Sequence, residues 1–180
     1  MSQRDSGYER VEHDVYETPG WVTQALVPHL KPSTAANSHV WEPAAASGKI
    51  VTVFQERGYD IAWSDIRDGQ DFFKFQETPA PNIITNPPFN LATEFIEHAL
   101  RLTMPVDGLV AMLLRTDFDH AKTRAHLFRN NWAFSKKLVL TKRIVWFERD
   151  DKPAQPSFNH AWFVWDWRNT AAPTLHYDVQ

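Results

Sequence analysis

Two consecutive prolines follow directly on an apolar run: Ile83-Ile84-Thr85 leads into Asn86-Pro87-Pro88-Phe89. No other juncture constrains the fold as tightly. The apolar run reads as a buried strand. The prolines end it, because they lack a backbone N–H and hold φ near about −65°. The resulting turn is stiff and presents carbonyl acceptors. Asn86 adds a side-chain amide oxygen, and Phe89 adds a ring face. Acceptors beside a ring suit a flat group bearing an exocyclic amine. A helical pattern follows, with Asn90 as its expected cap, Phe95 and Ala99 facing inward, and Glu94, Glu97 and Arg101 facing out.

Similar punctuation recurs along the chain. Thr18-Pro19 predicts a helix start, with Val22, Ala25 and Leu26 as its apolar face and Pro28 as its end. Lys31 to Ser38 is a loop. Val40-Trp41 predicts a short buried strand, followed by the small-residue turn Glu42-Pro43-Ala44-Ala45-Ala46-Ser47-Gly48. A helix through Ile50, Val53 and Phe54 stops at Gly58. Ile61-Ala62-Trp63 is a second strand, closed by Asp65, and Asp71-Phe72-Phe73 lies in the next connection. Beyond it we expect a strand over Leu109–Leu114, a helix over His120–Arg129, and strands over Leu138–Leu140, Ile144–Phe147 and Ala161–Trp167. Asp150–Ser157 reads as a loop, residues 1–15 as a flexible segment and 169–180 as a frayed tail.

Strands alternating with helices and then a β-rich end indicate a doubly wound, Rossmann-like α/β sheet in one domain over 16–168. Ligands of such sheets bind at the carboxyl ends of strands. The clusters 42–48, Asp65, Asp71 and 86–89 all fall at strand ends. The pattern G-x-G-x-x-G, which would seat a pyrophosphate, is absent. A cofactor carrying an ammonium and ribose hydroxyls but no phosphate fits the small-residue turn better. A tight turn with no ligand is the other reading of 42–48. Asp65 has the position and chemistry to take ribose hydroxyls, or else to cap a helix. Asp71 can accept from an adenine amine, or else serve as a turn residue.

The 180 residues, 43% of them hydrophobic, are enough for a sizeable core. No stretch of 18 apolar residues occurs, and no signal-peptide pattern opens the chain, so an intracellular, soluble protein is expected. The chain has no cysteine. That excludes disulfides, thiolate metal sites and a cysteine nucleophile of the kind needed to methylate a cytosine ring carbon. The eight histidines have no metal-ligand spacing, and no metal is expected. The net charge of −3 conceals an asymmetry: seven Lys and Arg and no Asp or Glu lie between His120 and Phe147. Lys122, Arg124, Lys136, Lys137, Lys142 and Arg143 are the candidate phosphate contacts there. A solvated helix face and strand edge is the plainer reading of the same run. Arg115, Thr116 and Asp117 are a candidate pocket rim. Trp162, Phe163, Trp165 and Trp167 recur at strand spacing and fit a core better than a stacking surface.

The segments Tyr16-Glu17-Thr18-Pro19, Glu42 to Gly48 and Asn86-Pro87-Pro88-Phe89, in that order, resemble the S-adenosylmethionine-dependent DNA adenine-N6 methyltransferases. The likeness runs through Trp167 and looks like the compact phage or prophage members, which would work in a bacterial cytoplasm. It implies that S-adenosylmethionine is the cofactor and DNA the partner. By resemblance, Tyr16, Glu17, Thr18, Pro19 and Glu42 surround the methionine part, with Pro43, Ala44 and Gly48 as further cofactor contacts. Asp65 would take the ribose and Asp71 with Phe72 the adenine, Ile66 is a further cofactor contact, and Asn86 borders both substrates. Asn86 and Pro87 would accept from the target amine, with Pro88 holding the turn and Phe89 stacking on the base. Ala46 stands where the family usually carries Gly; a negative φ there would accommodate it. No separate target-recognition domain is apparent. RNA or cytosine N4 as acceptor, and a non-catalytic nucleic-acid-binding module, are the alternatives.

Overall fold

The structure, a computed structural model, describes residues 17–30, 38–146 and 158–178. Tyr16, the segment 1–15, Phe147, the stretch 150–157 and all but Ser38 of the stretch 31–38, both expected as loops, lie outside the described residues. Seven strands form one sheet: β1 (His39–Glu42), β2 (Asp60–Trp63), β3 (Asn82–Thr85), β4 (Leu109–Arg115), β5 (Phe134–Val139), β6 (His160–Asp166) and β7 (Thr174–Tyr177). Their order is β2-β1-β3-β4-β6-β5-β7. The first four are parallel, β6 runs antiparallel to both β4 and β5, and β7 is parallel to β5. The expected doubly wound mixed α/β sheet is what forms.

Side-chain alternation along each strand supplies two cores. Val40, Ile84, Ala111, Leu113, Trp162 and Val164 face α1 (Gly20–Leu26) and α2 (Lys49–Glu56), packing against Val22, Leu26, Ile50 and Phe54. Trp41, Ile83, Val110, Met112, Phe163 and Trp165 face the opposite layer, α3 (Ala92–Thr103) and α4 (Ala125–Phe128). β6 is buried on both faces, as a central strand must be. Its tryptophans satisfy their N–H groups on opposite layers: Trp162 Nε1 donates to the Val22 carbonyl at 2.8 Å, and Trp165 Nε1 to the Leu127 carbonyl at 2.6 Å. The aromatic run is therefore core. Among the described residues no helix is long and apolar enough to cross a membrane.

Several expectations are corrected. Thr174–Tyr177, expected as frayed, pairs with β5 as the edge strand. Residues 144–146 form no strand. The single helix expected over His120–Arg129 is broken into two 3₁₀ turns, Phe118–His120 and Lys122–Arg124, followed by α4. Ala121 is extended between the turns, and Arg124 Nε donates back to the Phe118 carbonyl at 2.6 Å. Asn90 does not cap α3. The Pro88 carbonyl accepts from Leu91 N, so a 3₁₀ turn over Phe89–Leu91 comes first. Likewise α1 begins at Gly20 with Pro19 as its cap residue, and Thr18 is buried.

Candidate active site

β1 lies between β2 and β3, and the chain leaves β1 for one face of the sheet and β3 for the other. Strand order reverses there, which opens a crevice at the carboxyl ends. A cavity of about 560 Å³ occupies it, bounded by the 43–47 turn, residues 65–67 and 71–73, the exit of β3 and the start of α3.

The turn after β1 is held almost entirely by its own backbone N–H groups. Ala44 N donates to Glu42 Oε1 (3.0 Å), Ala45 N to the Ser64 carbonyl (3.1 Å), Ala46 N to Asp65 Oδ2 (2.8 Å) and Gly48 N to the Ala45 carbonyl (2.7 Å). Gly48 has φ +81° as the cap of α2. Ala46 has φ +49°, so the negative value that would accommodate it is not met and a Cβ sits in a conformation that favours glycine.

Thr18, Pro43, Ala44, Asp65, Ile66, Asp71, Phe72, Asn86 and Pro88 line the cavity, so nine of the expected residues converge. Pro19, Glu42, Gly48, Pro87 and Phe89 do not line it. Glu42 is fully buried beneath the turn. Burial pushes its carboxyl up to about 8, with the nearby negative charge of Asp65 adding to the rise and the Thr85 hydroxyl and Ala44 N–H opposing it. Thr85 makes no well-aligned hydrogen bond to Glu42 Oε2, which is left without a partner. Glu42 is thus a neutral acid at neutral pH and is not displayed to a ligand.

Asp65 is a brace as well as a wall. It accepts from Ala46 N, from Arg67 N (2.9 Å) and from Arg67 Nε (2.8 Å). Burial raises its pKa, but the Arg67 and backbone hydrogen bonds outweigh this and hold it below the usual carboxylate range. Asp71 accepts from Phe73 N at 3.0 Å as the cap of a 3₁₀ turn. Phe72 is mostly core, stacked on Phe95 with centroids 4.6 Å apart. The exposed apolar surface in the cavity comes instead from Ile66, Phe73 and Leu91.

Phe89 belongs to a second cluster. Its ring centroid is 6.2 Å from Trp146 and 6.1 Å from His160, and those two are 5.3 Å apart. Burial pushes His160 down to about 4; the Arg115 charge adds to this, while the Phe158 carbonyl and Asp117 oppose it. Arg115 grips Asp117 with two hydrogen bonds (3.0 and 2.7 Å) and lies over the Phe158 ring.

The basic run does not form one patch. Adjacent positions on β5 point to opposite faces: Lys136 Nζ donates to the His29 carbonyl, whereas Lys137 Nζ donates to Asp119 and the Thr116 carbonyl. Lys142 lies over Trp21 and Arg124 over Phe118. Lys122 and Arg143 are exposed and make no ion pair among the described residues.

Sequence reasoning missed Lys49, Arg67, Phe73, Asn90 and Leu91 as cavity residues, and it took in Glu17 and Ser47 only as members of the 16–19 and 42–48 segments. Only Arg67 had a usable signal, two residues beyond a capping Asp. Among the described residues no group of His, Asp and Glu is arranged to hold a metal.

No protein-family model matches the chain, and no curated protein matches it by sequence. Solved structures do. A protein assigned to the class I S-adenosylmethionine-dependent methyltransferases, from Listeria monocytogenes, is 13% identical with a TM-score of 0.64, over 97% of this chain and 68% of that one. The fold is that of a class I methyltransferase. The methyltransferase subunit of a type I restriction-modification system from Streptococcus thermophilus is 12% identical with a TM-score of 0.53, over 86% of this chain and 45% of that one. A protein assigned as an RNA methyltransferase from Pyrococcus horikoshii is 14% identical with a TM-score of 0.54, over 86% of this chain and 88% of that one. Identities at this level carry the methyltransferase fold and no substrate.

Proposed function

We propose that the protein is an S-adenosylmethionine-dependent methyltransferase acting on the N6 amine of adenine in DNA. The observation that carries the proposal is the placement of Asn86-Pro87-Pro88-Phe89 at the carboxyl end of β3. Asn86 and Pro88 line the crevice cavity, and Phe89 lies in an aromatic cluster outside it. One amine acceptor, Asn86, therefore borders the cavity, and a ring for the base lies beyond it.

The cavity fits the cofactor. Its volume lies within the range of small-molecule sites. Ile66, Phe73 and Leu91 offer apolar contact for a purine, Asp71 an acceptor for its amine, and Asp65 a carboxylate for ribose. Reaching both hydroxyls requires Arg67 to release part of its grip on Asp65. When bound, S-adenosylmethionine supplies an electrophilic methyl group.

Asn86 Oδ1 and the Pro87 carbonyl would accept the two amine N–H bonds and draw the nitrogen lone pair out of conjugation with the ring. The prolines fix that geometry before the acceptor arrives, so alignment and charge placement supply the rate. Phe89, with Trp146 and His160 beside it, would receive the base, which must leave a duplex stack to get there. Lys122, Lys142 and Arg143, at the surface, are the candidate phosphate contacts. Lys136 and Lys137 already hold carbonyls and an acid.

The test is transfer of labelled methyl from S-adenosylmethionine to unmethylated DNA, single- or double-stranded, in competition with matched RNA. N6-methyladenine on DNA is the expected product. Label on RNA alone would replace the acceptor, and label on neither would end the proposal.

A further inference from the structure

The 560 Å³ cavity presents two opposite charges side by side on one wall. Glu17 Oε2 lies 2.6 Å from Lys49 Nζ, and both side chains are about half exposed. The Ser47 side chain also hydrogen-bonds Glu17, and these two contacts hold the Glu17 carboxyl below its ordinary range. An exposed ion pair adds little to stability, so the fold does not depend on it.

The rest of the cavity narrows what the pair is for. The backbone N–H groups of Ala44, Ala45, Ala46 and Gly48 are spent on Glu42, Ser64, Asp65 and Ala45, so the turn has few donors left for an anion. Of the two basic residues in the lining, Arg67 is already bound to Asp65 through both its backbone and its side chain. Glu42, which the resemblance places at the methionine part, is sealed away. A ligand carrying an α-ammonium and an α-carboxylate therefore meets its complementary charges at Glu17 and Lys49.

We infer that Glu17 and Lys49 form a zwitterion clamp for the amino-acid end of the cofactor, Lys49 taking the carboxylate and Glu17 the ammonium. Binding would replace one protein ion pair by two protein–ligand pairs at the same wall. The inference rests on the proposed cofactor, and its test separates the two.

Calorimetry with three nucleosides reads the clamp without turnover: S-adenosylhomocysteine, its decarboxylated amine, and 5′-deoxy-5′-methylthioadenosine, which lacks the amino-acid end. The wild type should bind the first most tightly. Lys49→Met should weaken S-adenosylhomocysteine roughly tenfold or more and leave the decarboxylated amine and methylthioadenosine unchanged. Glu17→Gln should weaken the first two and spare methylthioadenosine. Retained methylthioadenosine binding also shows that each variant is folded. If Lys49→Met weakens all three equally, or none, the clamp is wrong although the cofactor site stands. If the wild type binds none of the three, the proposed cofactor itself fails and takes the clamp with it.

Discussion

The two sides of the β3 exit are built on opposite principles. Of the five charged residues that line the cavity beside Asn86, four are already paired, Asp65 with Arg67 and Glu17 with Lys49. The cluster around Phe89 is walled by Trp146 and His160, and its one titratable ring is buried and neutral. The first suits a ligand that brings charges of its own. The second suits a flat, uncharged ring. Asn86 and Phe89 are three residues apart in sequence, and the rigid proline turn keeps one at each side.

The sharpest way to break this division is at Asn86. Asn86→Ala should lower single-turnover methyl transfer about 10²- to 10³-fold while leaving S-adenosylhomocysteine binding within about twofold by calorimetry. A parallel loss of both would mean that Asn86 serves the cavity alone. Next is Glu42, whose folded pKa of about 8 lies above its unfolded value. Its contribution to stability is complete below the unfolded value near 4.5 and is lost as pH rises to about 8. Replacing it by the neutral isostere, Glu42→Gln, should restore on the order of 4 kcal/mol at pH 9 and little at pH 4, read from urea midpoints at the two pH values.

On the other side the sign reverses. His160 is held neutral, with a folded pKa of about 4 against an ordinary 6.5, so its stability is present above pH 6.5 and lost as pH falls towards 4. His160→Phe should flatten that acid limb by about 3 kcal/mol in the same urea series. A variant with an unchanged acid limb would remove His160 as the cause. The smallest effect is at Ala46. Ala46→Gly relieves the strain of φ +49° but loosens the unfolded chain, for a net gain of about 0.5 kcal/mol in the urea midpoint.

Much of this was legible in the sequence. The apolar runs at 40–41, 61–63, 83–85, 109–114 and 161–167 became β1–β4 and β6, because each is buried on both faces or ends in turn residues. The convergence of 43–44, 65–66, 71–72 and 86 followed from their common place beyond the ends of strands. What was hidden depends on partners rather than on pattern. β7 is exposed on nearly every residue, so the alternation of Leu175 and Tyr177 with Thr174 and His176 marks no buried face. The burial of Glu42 depends on how the 43–48 turn folds over it, and the φ of Ala46 on the carboxylate of Asp65, which comes 19 residues later. Lys136 and Lys137 fall before the strand expected over Leu138–Leu140; because β5 starts at Phe134, they are strand neighbours facing opposite ways, which a count of charge could not show.

The position of β6 sets the order in which the molecule can be assembled. It enters the sheet between β4 and β5, although it follows both in sequence. Trp162 fastens to a carbonyl 140 residues upstream, within α1. Until His160–Asp166 is in place, β4 and β5 each have an open edge, and neither helical layer is pinned to the middle of the sheet. Consolidation therefore waits for the last third of the chain and closes over long loops. This is the arrangement that makes folding slow, and it leaves the nascent form most exposed to pairing with the wrong strand.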